Sequence, residues 1–386
     1  MDSFAEIRKL YPAAGNTLYL DTPTSGLIST RSYERIRAHL DRRFQEGMDI
    51  PGVFSSWDEA DRMRTLAAEA VHALPDGIFF DSNCSSILNV LSAGLEVRPG
   101  ANIVTTGLAF PATVYTWLNQ AKRNLSLRYA QAEAGAVPVE RLLACVDQDT
   151  SVISLCAVEN TTGYRHDLGA IGAFCRQRGI TLAVDATQCI GAMEIDVEGM
   201  GIDFLAVSSY KWLNNLFGIG FGFVRPELLD RIRQPYAGWG GNADRHNHSR
   251  YHFDPAPAAA RFETGGLNWT GLAGLAAALE TYLDLGKQEV ERYILSLTDA
   301  VYERAARHPE VGLEWAFPAA RRSGIVCLTV PEVWRLDDAT LRRNKVRAHM
   351  QSSGRMRIGL HFYNNLDDIA GLFEFFDRCR SDDIER

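Results

Sequence analysis

"AVDATQCIGA" at 183–192 and "AVSSYKWLNN" at 206–215 are apolar runs that end in polar residues an ordinary strand would not choose. The first arrives at a carboxylate, Asp185, and the second at an amine, Lys211. A strand with one face in water alternates apolar and polar residues, whereas these runs are nearly continuous, as in a strand covered on both faces. The same texture recurs upstream and downstream in "GIFFDS", "NIVTTG", "LSLRYAQ", "SVISLCAV" and "GFGFV". Between several of them lie helical patterns, "SSILNVLSAGL", "PATVYTWLNQAKR" and "LGAIGAFCRQRG", the last closed by Gly179 as a C-cap. Seven strands with helices interposed predict an α/β fold built on a mainly parallel sheet.

In an open parallel sheet, ligands gather outside the carboxyl ends of the strands. That rule sends Asp185 and Lys211 to one edge. It also sends there Glu159 and Asn160, after "SVISLCAV", and Asp81, Ser82 and Asn83, after "GIFF".

At 386 residues the chain is long for a single core, so a large domain with a smaller one is expected. The reading divides it into an N-terminal arm (1–30), a large domain (31–270) and a third region (271–386). This last region holds a linking helix, "GLAGLAAALETYLDL", and a small C-terminal α/β domain with strands "GIVCLTV" and "RMRIGL". A net charge of −8 without Lys/Arg blocks argues against a nucleic-acid partner. No apolar stretch is long enough to span a bilayer, and the charged start "MDSFAEIRKLYP" gives no sign of a secretory leader, so no membrane role and a cytoplasmic location are expected. The seven cysteines are odd in number and form no C-x-x-C pair, which reads as free, mostly buried thiols with no metal site.

A lysine in a partly desolvated site has a depressed pKa and serves as an amine nucleophile toward an aldehyde. A carboxylate nearby that is not spent on that lysine implies a second positive charge, such as a protonated pyridine nitrogen. Pyridoxal phosphate asks for this set: a Schiff-base lysine, an acid for the ring nitrogen and a phosphate cradle. "SNCSS" at 82–86, opening a helix, supplies the cradle, because a helix N-terminus favours an anion. Ser208 adds a hydroxyl.

With those residues in hand, the sequence resembles the class V aminotransferase family of pyridoxal-phosphate enzymes, of fold type I. The resemblance runs from "YLDTPTSGL" to "HFYNNLDDIAGLFEFF" and is most specific at "VDATQCIGA", "SSYKWL" and "RIGLHFYN". It implies Lys211 as the Schiff-base lysine, Asp185 as the acid on the pyridine nitrogen and Gln188 as the contact to the phenolic oxygen. It further implies Asn160 beside the ring, Phe110 stacked on it, and Cys84, Ser85 and Ser208 around the phosphate. Arg357 matches an arginine that clamps a substrate carboxylate bidentately. A homodimer with shared active sites is implied as well. Of the branches, the sequence looks nearest to isopenicillin epimerases and ergothioneine-pathway C–S lyases rather than true cysteine desulfurases.

The departures are specific. "ETGGLN" places Gly266 where the family often has a threonine reaching the partner's phosphate, so Gly266 either offers a backbone N–H or is a turn glycine. Ala109 replaces a common acidic residue. The flexible loop that carries the desulfurase nucleophile reads "HMQSSGRMR", without cysteine, and Cys327 in "GIVCLTV" reads as core. Both argue against a persulfide route. "RHNHSRYH", with His246, His248 and His252, is a metal-binding, substrate-contacting or solvated loop, and Tyr236 and Trp239 in "YAGWGG" serve either substrate or packing.

The resemblance implies conversion of an amino-acid substrate through an external aldimine and a Cα carbanion. Elimination or replacement at Cβ or Cγ, in a specialised biosynthetic pathway, is the first choice. Transamination follows, then epimerisation or racemisation. A pyridoxal-phosphate-binding protein without catalysis is the alternative from another class.

Overall fold

The computed structural model describes residues 2–246, 251–352 and 354–385. Seven strands form the large sheet: β1 (Ile78–Asp81), β2 (Asn102–Thr106), β3 (Ser126–Ala130), β4 (Thr150–Cys156), β5 (Thr181–Asp185), β6 (Phe204–Ser208) and β7 (Gly220–Val224). Their order is β1-β7-β6-β5-β4-β2-β3, and only β7 runs antiparallel to its neighbours. All seven sequence-predicted strands are present.

Every residue of β5, β6 and β7 is buried, which explains the unbroken apolar runs. The period of two still operates beneath them. Leu182, Val184, Leu205 and Val207 join one core, while Ala183, Phe204 and Ala206 join a second core on the opposite face. Each large apolar side chain so buried contributes about 1.5–3 kcal/mol relative to exposure. Register brings the polar ends level, since Asp185 lies beside Cys156 on one side and Ala206 on the other.

Helices α1 (Thr30–Glu46) and α2 (Ile50–Val71) precede the sheet. Helix α3 (Cys84–Gly94) follows β1 at once, α4 (Pro111–Leu118) follows β2, and α5 (Leu168–Arg178) precedes β5. Gly179 takes the left-handed cap conformation predicted for it, with φ of 65°. Helix α6 (Trp269–Leu285) packs on α1 and α2, and Leu272, Leu275 and Leu279 enter the core of the large sheet. The longer α7 (Lys287–Arg307) leads to the C-terminal region.

There a four-stranded antiparallel sheet, β8 (Gly312–Leu313), β9 (Ile325–Thr329), β10 (His349–Ser352) and β11 (Arg355–Gly359), has the order β10-β11-β9-β8. Helix α8 (Leu366–Arg380) and α7 cover it around a separate core that includes Leu297, Val326, Leu328, Ile358 and Phe376. The N-terminal arm joins this region to the large sheet, whose core takes Phe4, Tyr11, Ala14 and Leu27. Leu18 and Tyr19 pair in parallel with Val346 and Arg347, Leu20 enters the C-terminal core, and Arg8 forms an ion pair with Asp368.

Within 349–357, His349–Ser352 pairs antiparallel with Arg355–Gly359; Ser353 lies outside the described residues. Cys327 is buried, as expected, on the face of β9 away from the C-terminal cluster, where its Sγ donates to the carbonyl oxygen of Thr161 at 2.8 Å. No described helix is long and apolar enough to cross a membrane.

Candidate active site

The ends of β5 and β6 are tied together by short polar links. Asp185 accepts a hydrogen bond from the Thr187 N–H at 2.9 Å, fixing its carboxylate at the strand end. The Thr187 hydroxyl oxygen accepts from the Ser208 N–H at 3.1 Å. The Ser208 hydroxyl oxygen in turn accepts from the Cys84 N–H at 2.8 Å, which locks the start of α3 to β6. Lys211 follows in the turn after β6. That turn is braced by the arm, for the Gly26 N–H donates to the Tyr210 carbonyl at 2.8 Å. A Cβ on Gly26 would lie 2.0 Å from the Lys211 carbonyl oxygen, so only glycine permits this approach.

These strand ends surround a cavity of about 290 Å³. Its wall contains Cys84, Ser85, Phe110, Asn160, Asp185, Gln188, Ser208 and Lys211, eight of the ten predicted site residues. Helix α3 opens with a capping box in which Asn83 accepts from the Ser86 N–H and Ser86 accepts from the Asn83 N–H. With the Cys84 N–H bound to Ser208, the Ser85 N–H and hydroxyl are the donors of that first turn left for an anion among the described residues. The Gln188 side chain is held at both ends, its Nε2 donating to the Pro23 carbonyl at 3.0 Å and its Oε1 accepting from Trp212 at 2.7 Å. One N–H of that amide remains for a ligand.

Burial lowers the pKa of Lys211, and the charge of Arg357 acts in the same direction, against the opposing pull of Asp185. Its Nζ lies 5.3 Å from the centroid of the Phe110 ring. Cys84 and Cys156 also line the cavity, and both thiols are pushed well above their ordinary value by burial, with Asp185 adding to the effect. They are neutral, soft groups against the carboxylate and not nucleophiles.

Arg357 stands behind Asn160, outside the cavity wall. Its Nη1 donates to the Asn160 carbonyl at 3.1 Å, and its Nη2 to Thr24 Oγ1 at 2.8 Å and Asp21 Oδ1 at 3.3 Å. Gly266 lies in a neighbouring hollow of about 410 Å³ that shares Ser82 and Gly218 with the cavity. Two strand-end residues turn away. Glu159 is fully buried and accepts from Thr106 at 2.6 Å and contacts His166 at 2.9 Å, while Asp81 caps its neighbour Ser82.

Trp239 packs edge-on against Trp57, and Tyr236 is exposed; among the described residues the cavity wall includes neither. His248 lies outside the described residues, and His252 is exposed. No group of three or more potential metal ligands occurs among the described residues, and all seven cysteines are free.

Thr187, Tyr210, Phe217 and Gly218 also line the wall, with Ala112, Cys156 and Val158, and none of these was expected there from sequence. Thr187 lay within the decisive "VDATQ", and its role was discoverable from the need to fix two adjacent strand ends. The contributions of Asp21, Pro23 and Thr24 had no local signal.

Residues 54–372 match the family described as "Aminotransferase class-V". The chain is 26% identical to a probable cysteine desulfurase of Methanothermobacter thermautotrophicus, covering 96% of each. It is 27% identical to a kynureninase of Pseudomonas fluorescens, covering 89% of this chain and 85% of the relative. Among solved structures, a C-DES variant with glycine covalently linked to its PLP cofactor superimposes with a TM-score of 0.86 at 20% identity, covering 96% of this chain and 98% of that one. The apo cysteine desulfurase of Thermococcus onnurineus superimposes with a TM-score of 0.85 at 22% identity, over 97% of both. The chain belongs to the class V aminotransferase family, has the fold of the type I pyridoxal-phosphate enzymes, and is a pyridoxal-phosphate enzyme. The residues present fit that cofactor: a buried amine of lowered pKa, a buried carboxylate and a helix start with donors to spare meet in one cavity.

Proposed function

We propose that this member of the class V aminotransferase family is a lyase-type enzyme that eliminates or replaces a group at Cβ or Cγ of an amino-acid substrate. We place it near the epimerase and C–S lyase branch, in a specialised biosynthetic pathway and as a homodimer. The observation that carries this reading is that, among the described residues, the cavity wall presents no thiolate nucleophile. The stretch 349–357 contains no cysteine, Cys84 and Cys156 are held neutral, and Cys327 is pushed up to about 12 by burial while its thiol is hydrogen-bonded to Thr161. A persulfide route is therefore not supported.

Cys84, Ser85 and Ser208 are assigned to the cofactor phosphate, Phe110 and Asn160 to its ring, Gln188 to its phenolic oxygen and Asp185 to its ring nitrogen. When bound, pyridoxal phosphate supplies an electron sink for charge developing at Cα. Arg357 holds the substrate carboxylate. The amine of Lys211, neutral at a lower pH than an exposed lysine, takes the α-proton and returns it to the leaving group or product. Gly266 is assigned to the phosphate of the partner subunit through its backbone N–H.

The test is incubation of the holoenzyme with a panel of amino acids and thioethers, followed by absorption and mass spectrometry. Release of the side-chain leaving group with a keto acid and ammonia is expected. A keto acid that keeps its side chain, with an aminated cofactor, would instead assign transamination. No spectral change with any amino acid would indicate binding without catalysis.

A further inference from the structure

The arm places a second anion against the arginine assigned to the substrate carboxylate. Asp21 bonds Arg357 through one oxygen at 3.3 Å, longer than the 2.8 Å from the same Nη2 to Thr24. It is a loose, monodentate counterion and not a fork-to-fork pair. Nor is Asp21 free to leave. It bridges to Gly359, the Gly359 N–H donates to the Leu20 carbonyl at 2.7 Å, and Thr22 beside it contacts the Tyr363 hydroxyl at 2.6 Å. Arg357 is 6% exposed, and its Nε is buried with no hydrogen-bond partner. An arginine this deep is left with an unsatisfied donor and a counterion that meets it through one oxygen.

We infer that Asp21 is a positioning residue that sets the carboxylate affinity of Arg357: it balances the arginine in the empty site and repels the incoming carboxylate, keeping binding weak enough for product to leave. This rests on the reading of Arg357 as the carboxylate clamp. Thr24, neutral and closer, orients the guanidinium without that repulsion. The two arm residues therefore act in opposite directions on the same ligand. Burial raises the pKa of Asp21, against the pull of Arg357, which agrees with an acid whose charge is incompletely compensated.

The experiment titrates the holoenzyme with propionate, read by calorimetry, at fixed ionic strength. Asp21→Asn keeps the acceptor oxygen and removes the charge. It should tighten propionate binding about tenfold, the scale of one like charge removed from a partly desolvated site. Asp21→Ser, read in parallel as a second charge-removing variant, should also tighten it, and Thr24→Val should loosen it. A purely structural Asp21 would give the opposite sign, because an arginine without its support would bind less well. Unchanged or weakened binding in both Asp21 variants overturns the inference. Arg357→Gln is expected to abolish binding; if it binds propionate like the unsubstituted enzyme, the clamp assignment itself fails, whatever Asp21 does.

Discussion

Removing the charge of Glu263 tests what holds the 263–268 segment beside the cofactor cavity. The Glu263 side chain is fully buried and Arg64 is 6% exposed, and the two form a two-pronged ion pair with one contact at 3.0 Å. Glu263 also accepts the Phe80 N–H of β1 at 2.8 Å. Glu263→Gln keeps an acceptor for Phe80 but leaves the Arg64 charge to Asp61, whose side chain is 54% exposed. Breaking one partner of a buried pair costs about 3–5 kcal/mol, and the residual Asp61 contact puts the expectation near the lower end, roughly 3 kcal/mol. Glu263→Ala also orphans the Phe80 N–H and should cost roughly 1–3 kcal/mol more. Urea unfolding of each variant, at fixed protein and cofactor concentration, supplies the comparison, and Arg64→Met with Glu263→Gln closes a double-mutant cycle. A Glu263→Gln enzyme within about 0.5 kcal/mol of the parent, the usual range of an inconsequential surface change, would refute the argument.

Two further expectations concern the cavity and its neighbour. In the cofactor-free protein, acetylation of Lys211 followed by mass spectrometry should rise through a midpoint below the ordinary 10.5, because burial favours the neutral amine. Asp185→Asn should lower that midpoint further and Arg357→Gln should raise it; a midpoint at or above 10.5 would contradict the burial argument. At Gly266 an added Cβ meets no atom within 4 Å and φ is not left-handed, so Gly266→Thr should fold and keep its cofactor spectrum. It should nevertheless lower kcat on the native substrate about tenfold, or ~1.4 kcal/mol, by filling the hollow next to Ser82; full activity would leave Gly266 as a turn residue.

The large sheet was legible because burial on both faces writes long apolar runs, and a carboxylate or amine at the end of such a run stands out. That is why Asp185, Lys211, Asn160 and Ser208 can be gathered at one sheet edge from the sequence alone. Strand-end position alone does not decide orientation, however. Glu159 and Asn160 are neighbours, yet Asn160 lines the cavity and Glu159 is drawn inward by Thr106 and His166. The arm was opaque for a different reason. Asp21 and Arg357 stand 336 positions apart, and their meeting is set by the pairing of the arm with the C-terminal sheet, which no local pattern encodes. The apolar run around Cys327 likewise showed that the residue is buried, but not that its face of the strand meets Thr161.

The central claim is that Lys211 carries the cofactor. Lys287 is the instructive rival, since its pKa is also lowered by burial, but its Nζ is 2.6 Å from the Glu69 carbonyl and it lies outside the cavity wall. Borohydride reduction of the yellow holoenzyme, followed by proteolysis and mass spectrometry, reads the attachment site directly. The pyridoxyl label is expected on the peptide containing Lys211. A label on Lys122, Lys287 or Lys345, or none at all, would contradict the account.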